Sequence, residues 1–261
     1  MPRPNRPPRI ATVVETTALT PHMVRIVVEG PGLEGFSVGE YTDHYVKCRF
    51  GETTRTYTVR DWDAEQLRLT LDFVVHGDEG LAGPWAAGAR VGDALMLNGP
   101  GGGYAPSADA DWHLMVGDEA VIPAIAVSLE RIKPRVPVFV VLEVAGPEEQ
   151  QPLSSPGDLR LQWLHRTLGP GEDPDLQLQA VRTLDLPDGR GHAFVHGEAE
   201  AVLRVRRHLL QDRGMDREDM SATGYWKLRR TDEQWRAEKR DWLAQAEADA
   251  NAQPTASGEP S

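Results

Sequence analysis

The 261 residues carry 28 Lys and Arg against 40 Asp and Glu, a formal charge of −12, with 40% hydrophobic and 26% charged residues. That balance suits a soluble chain of two modest domains or one large one. It argues against general nucleic-acid binding and against adhesion to anionic membranes, so an anionic ligand must be met by a local cluster of cations. The one cysteine, Cys48, permits neither an internal disulfide nor a thiolate metal site and suits a reducing cytosol.

Residues 1–9 are rich in Pro and Arg without an apolar run and read as a disordered arm, neither signal peptide nor anchor. No stretch is long enough to span a bilayer, so no membrane insertion is expected. From Ile10 to about Pro106 the signals are those of strands. Residues 23–28 end at Gly30-Pro31-Gly32, and Leu67, Leu69, Leu71, Phe73 and Val75 alternate with Arg68, Thr70 and Asp72. Short strands separated by Gly and Pro predict a closed antiparallel Greek-key β-barrel over residues 10–108.

After Gly99-Pro100-Gly101-Gly102-Gly103 the period changes. Residues 112–116 read as a buried strand, Gly117-Asp118-Glu119 as a tight turn, and 122–133 as a helix with Pro123 in its first turn. Strands follow at 136–144, 159–164 and 192–196. The last leads through Gly197-Glu198 into a helix that ends at Gly214, with acids at its start and Arg204, Arg206, Arg207 and His208 toward its end, as the helix dipole favours. Such units predict a parallel sheet over 109–230 with ligands at the C-terminal strand ends. Loops at 146–157 and 167–175 are expected on the surface. Thr231-Asp232-Glu233-Gln234 is a capping-box pattern for a last helix over 231–246, with Trp235 and Trp242 on one face and a disordered tail over 247–261.

Two stretches carry chemistry. In Arg55-Thr56-Tyr57-Thr58-Val59-Arg60 a cation, an aromatic and a hydroxyl fall within four residues; the same sequence also suits an ordinary exposed strand face. After the strand ending at His76, a Gly-rich turn runs into a short helix near Ala82, and free N–H groups at a helix start can hold an anion. Only His192 and His196 among the histidines are spaced i, i+4, and no carboxylate completes a ligand set, so no protein-bound metal is expected. Asp118 and Glu119 suit acid/base work less well than capping the helix at Ile122. Lys227, Arg229, Arg230, Lys239 and Arg240 form either a solvated face or a positive patch.

Taken in order, Arg55 to Arg60, Asp72-Phe73-Val74-Val75-His76-Gly77, residues 80–86, Gly92-Asp93, Gly99-Pro100, Gly117-Asp118-Glu119 with 122–125, Gly197-Glu198-Ala199 and Gly224-Tyr225-Trp226 resemble the signature of the siderophore-interacting protein family. The resemblance runs from Ile10 to about Trp242. It implies a ferredoxin-reductase fold, an FAD-binding β-barrel followed by a Rossmann-like nicotinamide domain, and an FAD-dependent, NAD(P)H-using oxidoreductase of the cytoplasm that releases ferrous iron from a ferric siderophore. Its alternatives are a general flavin reductase, a reductase served by ferredoxin, and a non-catalytic siderophore-binding protein.

The resemblance also implies roles. Arg55 would pair with the FAD pyrophosphate, Tyr57 would pack along the isoalloxazine, and Thr58 would bond at its reactive edge, with Tyr57 and Thr58 as the catalytic pair. Asp72, Phe73, Val74, Val75 and His76 would line the cofactor, and the backbone of Gly80, Leu81, Ala82 and Gly83 would hold its phosphates. Gly117, Asp118, Glu119, Pro123, Gly197, Glu198, Tyr225 and Trp226 would serve the nicotinamide side, and Lys227, Arg229 and Arg230 the substrate. The sequence departs from the family at Gly80-Leu81-Ala82-Gly83, where Gly-Pro-Ala-Ser is usual, at Ala120, where Thr is usual, and at Leu228, which interrupts a basic run. Arg131, Lys133, Arg204 and Arg207 are the cations conceivable for a nicotinamide 2′-phosphate.

Overall fold

The computed structural model describes residues 7–75, 80–166, 173 and 175–251. Strands β1 (Arg9–Thr20), β2 (Met23–Glu29), β3 (Tyr45–Phe50), β4 (Thr53–Asp63), β5 (Arg68–Val74) and β6 (Ala94–Gly101) close a barrel in the order β1-β2-β5-β4-β3-β6. It is a Greek key, because β2 and β6 return to the two edges of the β3-β4-β5 meander. Strand alternation fills its interior. Leu69, Leu71 and Phe73 of β5 are fully buried beside Ile26, Val46, Cys48 and Leu97, and each large side chain so buried contributes about 1.5–3 kcal/mol. Helix α1 (Ala82–Gly88) sets Trp85 against Phe50 and Phe73, at centroid distances of 5.4 and 5.6 Å.

The second half is a parallel sheet of β7 (Trp112–Asp118), β8 (Pro137–Val144), β9 (Asp158–His165), β10 (Gly191–Glu198) and β11 (Met220–Trp226), ordered β11-β10-β7-β8-β9. Every residue of β7 is buried, as a central strand covered on both faces requires. Helix α2 (Ile122–Glu130) covers one face through Ile122, Ile125 and Leu129. Helices α3 (Leu176–Arg182), α4 (Ala199–Arg207) and α5 (Asp232–Asn251) cover the other, where Trp235 and Trp242 meet edge to face at 5.7 Å. The chain runs outward from β7 to β9 and then returns to β10 on the other side of β7. The C-terminal ends of β7 and β10 are therefore the switch point at which such sheets bind ligands.

Barrel, parallel sheet and final helix agree with the sequence expectation, and six details differ. Helix α2 stops at Glu130, before Lys133, and α4 gives way at His208–Asp212 to a π-helical turn before Gly214. Strand β11 and helix α3 were not anticipated, since Met-Ser-Ala-Thr-Gly has neither strong strand propensity nor a clear period. Helix α5 continues to Asn251, past residue 246. The loop at 146–157, expected on the surface, carries Glu149 at 2% exposure. Its carboxylate accepts from Thr20 Oγ1 at 2.5 Å and from the His22 backbone N–H at 3.3 Å, which ties the β1–β2 hairpin to the sheet domain. His76 and Gly77, residues 1–6, most of the 167–175 loop and the tail from 252 lie outside the described residues.

Candidate functional site

The barrel opens where β4 and β5 part. Strand β4 pairs with β3 through Thr53–Thr58 but with β5 only from Val59 to Asp63, and the register shift between Val59 and Asp61 marks Arg60 as an extra, bulged residue. Strand β5 goes on to pair with β2 as far as Val74. One backbone edge of 53–58 is thereby left without a strand partner. It borders a cavity of about 1390 Å³ lined by Arg55, Thr56, Tyr57 and Thr58, by Asp72 and Val74 of β5, and by Asp43, Tyr45 and Lys47. The opposite wall is the switch point of the sheet: Asp118, Glu119, Pro123, His196, Glu198, Tyr225 and Trp226. Lys227, Arg229 and the first turns of α5 (Asp232, Trp235, Arg236, Lys239) complete the enclosure.

On the barrel side, Tyr57 is half buried and its ring lies 4.0 Å from that of Phe73 at 37°. Burial raises its phenol, so the ring is a neutral, fixed plane. Thr58 is 8% exposed. Arg55 reaches α5, with Nη1 at 3.2 Å from Asp232 and 2.9 Å from Glu233. Arg236 returns the contact by donating through Nη2 to the Thr54 carbonyl at 2.5 Å. The α5 turn that presents these groups is held by a reciprocal cap: Gln234 N–H donates to Thr231 Oγ1 at 3.2 Å and Thr231 N–H to Gln234 Oε1 at 2.9 Å.

On the sheet side Asp118 is the hub. Its carboxylate accepts from Ala120 N–H at 2.9 Å, from Glu198 N–H at 2.8 Å and from the Trp226 indole N–H at 2.8 Å, gathering β7, β10 and β11 on one side chain. Burial first, then the neighbouring Glu119, pushes it up to about 7 against the pull of those donors. The geometry depends on two glycines. Gly197 has φ +128°, and a Cβ there would lie 2.5 Å from Asp118 Oδ2; at Gly117 one would lie 2.8 Å from the His196 carbonyl. Beside them His196 is 4% exposed, stacks on Phe194 at 3.9 Å and meets Ser221 Oγ through Nε2 at 2.9 Å. Burial holds it neutral, at about 3.

Several expected site residues lie off the cavity or are bonded within the protein. Phe73 points into the barrel core, because alternation along β5 turns Asp72 and Val74, not Phe73, toward the cavity. Asp72 is 4% exposed and holds Arg25 in two bonds of 2.7 and 2.8 Å, so its carboxylate is committed to the barrel wall. Val75, Gly80, Leu81, Ala82 and Gly83 do not border the cavity formed by the described residues; Ala82 belongs to the barrel core and Leu81 is 48% exposed. Gly117 and Gly197 act through the room they leave, and Glu119 bonds Ala145 N–H and Arg166. Glu198 caps α4 through Oε2 and accepts Leu228 N–H through Oε1, so both oxygens serve the backbone. Lys227 pairs with Glu200 at 3.0 Å, and Arg230 pairs with Glu238 at 2.7 Å away from the cavity. Arg131, Lys133, Arg204 and Arg207 do not line it either.

The sequence reasoning missed Arg236, Asp232, Glu143, Arg166, Gln177 and His196 as site neighbours, all of which line the cavity, as does Lys239 of the basic group weighed as a positive patch. They come together from elements far apart in the chain. The position of Glu143 at the end of a strong strand next to β7 was the one readable signal. Among the described residues no group of three or more His, Cys, Asp or Glu could hold a metal ion, and no helix is long and apolar enough to cross a membrane.

Comparison with known proteins agrees with this architecture. Residues 12–54 and 51–104 match the siderophore-interacting FAD-binding domain, and residues 110–229 match the siderophore-interacting protein model. The ferric vibriobactin reductase ViuB of Vibrio cholerae is 30% identical over 256 residues, covering 89% of this chain and 94% of ViuB. A siderophore utilization protein from T. fusca superposes with a TM-score of 0.77 at 34% identity, covering 86% of this chain and 94% of the other. The ferredoxin reductase of carbazole 1,9a-dioxygenase shares the fold, with a TM-score of 0.65 at 18% identity over 85% of this chain and 71% of that one. With both halves matched in order on a ferredoxin-reductase-like fold, the chain belongs to the siderophore-interacting protein family.

Proposed function

We propose that this chain is an FAD-dependent ferric-siderophore reductase of the cytoplasm that takes its electrons from NAD(P)H. The observation that carries the reading is the open edge of β4: Arg55, Tyr57 and Thr58 face the same cavity as the switch point of the parallel sheet. A diphosphate asks for a forked cation, a tricyclic ring for an aromatic plane, and a ring nitrogen for a small hydroxyl, and this donor set fits all three. The name of the ViuB relative supports the same activity.

Bound there, the flavin would supply the conversion of a nicotinamide hydride into single electrons for ferric iron. The chain's own residues would do the placing. Arg55 would neutralise the diphosphate, Tyr57, fixed by Phe73, would set the ring plane, and Thr58 would hydrogen-bond the reactive edge. Asp118 would hold Trp226 and the β10 turn in register while the nicotinamide docks over β7 and β10. Lys227, Arg229, Arg236 and Lys239 give the α5 side of the cavity the cations that an anionic chelate needs in a chain of charge −12.

The test is a spectrum of the purified protein, then anaerobic turnover with NADH and NADPH against a ferric siderophore, free flavin, a quinone and reduced ferredoxin. Flavin absorbance with fastest turnover on the ferric chelate is expected. A colourless protein that binds the chelate without oxidising nicotinamide would make it a binding protein. Preference for free flavin or for a ferredoxin donor would reassign its partner.

A further inference from the structure

The cavity is electrically divided. Its other cations lie toward the barrel and α5 among as many carboxylates, whereas among the described residues the end at the tips of β8 and β9 holds Glu119, Glu143 and Asp173 against one cation, Arg166. That arginine is already engaged: Nη2 bonds Glu119 and Nη1 lies 3.4 Å from Glu143. Glu143 stands directly across from Asp118 in the β7–β8 register, one strand away from the switch point. Its Oε2 accepts from Gln177 Nε2 at 3.1 Å and its Oε1 from Arg166 at 3.4 Å, so each oxygen keeps a lone pair for another donor. Gln177, 2% exposed and in the same wall, has a buried Oε1 with no hydrogen-bond partner.

Acceptors without donors call for a ligand with hydroxyls. An unesterified ribose offers a vicinal pair of them, and a carboxylate beyond the first strand of a parallel sheet is a general way to hold a ribose 2′-hydroxyl. A 2′-phosphate would instead bring two negative charges beside Glu143 and Glu119 where, among the described residues lining this end, the one cation is already paired. Burial raises Glu143 against the pull of Arg166 and Gln177.

We infer that Glu143 and Gln177 form the subsite for the adenosine ribose of the electron donor and make this chain select NADH over NADPH. This rests on the reductase reading and sharpens it. Neither residue touches the reacting atoms; they determine specificity by accepting from the 2′- and 3′-hydroxyls, with Arg166 kept out of reach by its two carboxylates.

The test is calorimetric titration of the flavin-loaded full chain with ADP-ribose and with 2′-phospho-ADP-ribose, neither of which is redox-active. ADP-ribose is expected to bind at least about tenfold more tightly, since a site built for a hydroxyl leaves its acceptors facing repulsion when the hydroxyl is esterified. Glu143→Gln should bring the two ligands within about threefold by relaxing the repulsion and freeing Arg166. Gln177→Leu should weaken ADP-ribose severalfold without helping the phosphorylated ligand. Equal or tighter binding of 2′-phospho-ADP-ribose by the unaltered protein overturns the inference, as does a ratio that Glu143→Gln leaves unchanged. So does a flavin-loaded protein that binds neither ligand. In that last case, photoreduced protein that still reduces a ferric chelate would leave the reductase reading standing, whereas failure to retain flavin would remove that reading itself.

Discussion

The guanidinium of Arg55 lies 2.9 Å from the carboxylate of Glu233, joining a barrel strand to the first turn of the last helix across 178 residues of chain. The cation proposed for the flavin diphosphate is therefore held by carboxylates of α5, which compete for it. Replacing Arg55 with Ala should weaken FAD retention by about 10- to 100-fold, the worth of a charge-assisted hydrogen bond. Glu233→Gln should leave the fold intact and tighten FAD a few-fold. Flavin fluorescence titration of both variants checks the pair, and unchanged FAD affinity in Arg55→Ala would refute the diphosphate role.

Asp118 makes the sheet side of the cavity pH-sensitive. Its folded value near 7 is above the ordinary 3.8, so ionising it costs more in the folded protein. Its contribution to stability should therefore decline as pH rises from about 4 to 7 and stay level above that. Because Trp226 donates to the same carboxylate, indole fluorescence should titrate near neutrality, and the transition should vanish in Asp118→Asn and in Trp226→Phe.

Gly197 is the position where a methyl group does most damage. Its φ of +128° and the 2.5 Å approach of Asp118 Oδ2 leave no room for a Cβ. Gly197→Ala should cost about 1–3 kcal/mol from backbone strain alone. A lowered melting temperature together with a shifted Trp226 emission would locate the damage at the Asp118 hub.

Asp72 separates a structural carboxylate from a ligand. The Arg25 bonds are buried on the Asp72 side and one-third exposed on the other, at 1% and 31%. Asp72→Ala should therefore destabilise the barrel by about 1–3 kcal/mol, less than a fully buried pair would. A double-mutant cycle with Arg25→Ala in urea should recover most of that as coupling. If flavin binding fell while stability held, Asp72 would be a cofactor contact after all.

Alternation and apolar runs carried the large-scale organisation. Leu69, Leu71 and Phe73 announce a barrel strand, and the mainly apolar stretch Trp112 to Val116 of β7 announces a parallel strand covered on both sides. The same alternation, applied strictly, separates Phe73 in the core from Asp72 and Val74 at the cavity. Other features are beyond local pattern. Strand β11 exists because β10 pairs with it, not because Met-Ser-Ala-Thr-Gly favours a strand. The Arg55–Glu233 contact, the Asp118 hub and the Glu143–Gln177 wall join segments that only the folded chain brings together, and charge counting over the whole sequence hides the acidic end of the cavity.

Cys48 sits at 0% exposure in β3, across from Arg55 in register, and burial raises its thiol. As the chain's single cysteine, it is a clock already built into the barrel. A thiol reagent can reach it only when the strands around it separate, so the labelling rate times the barrel's breathing beside the open β4 edge. Comparing that rate with and without FAD would measure how firmly the cofactor closes the barrel, with no tag or substitution added to the protein.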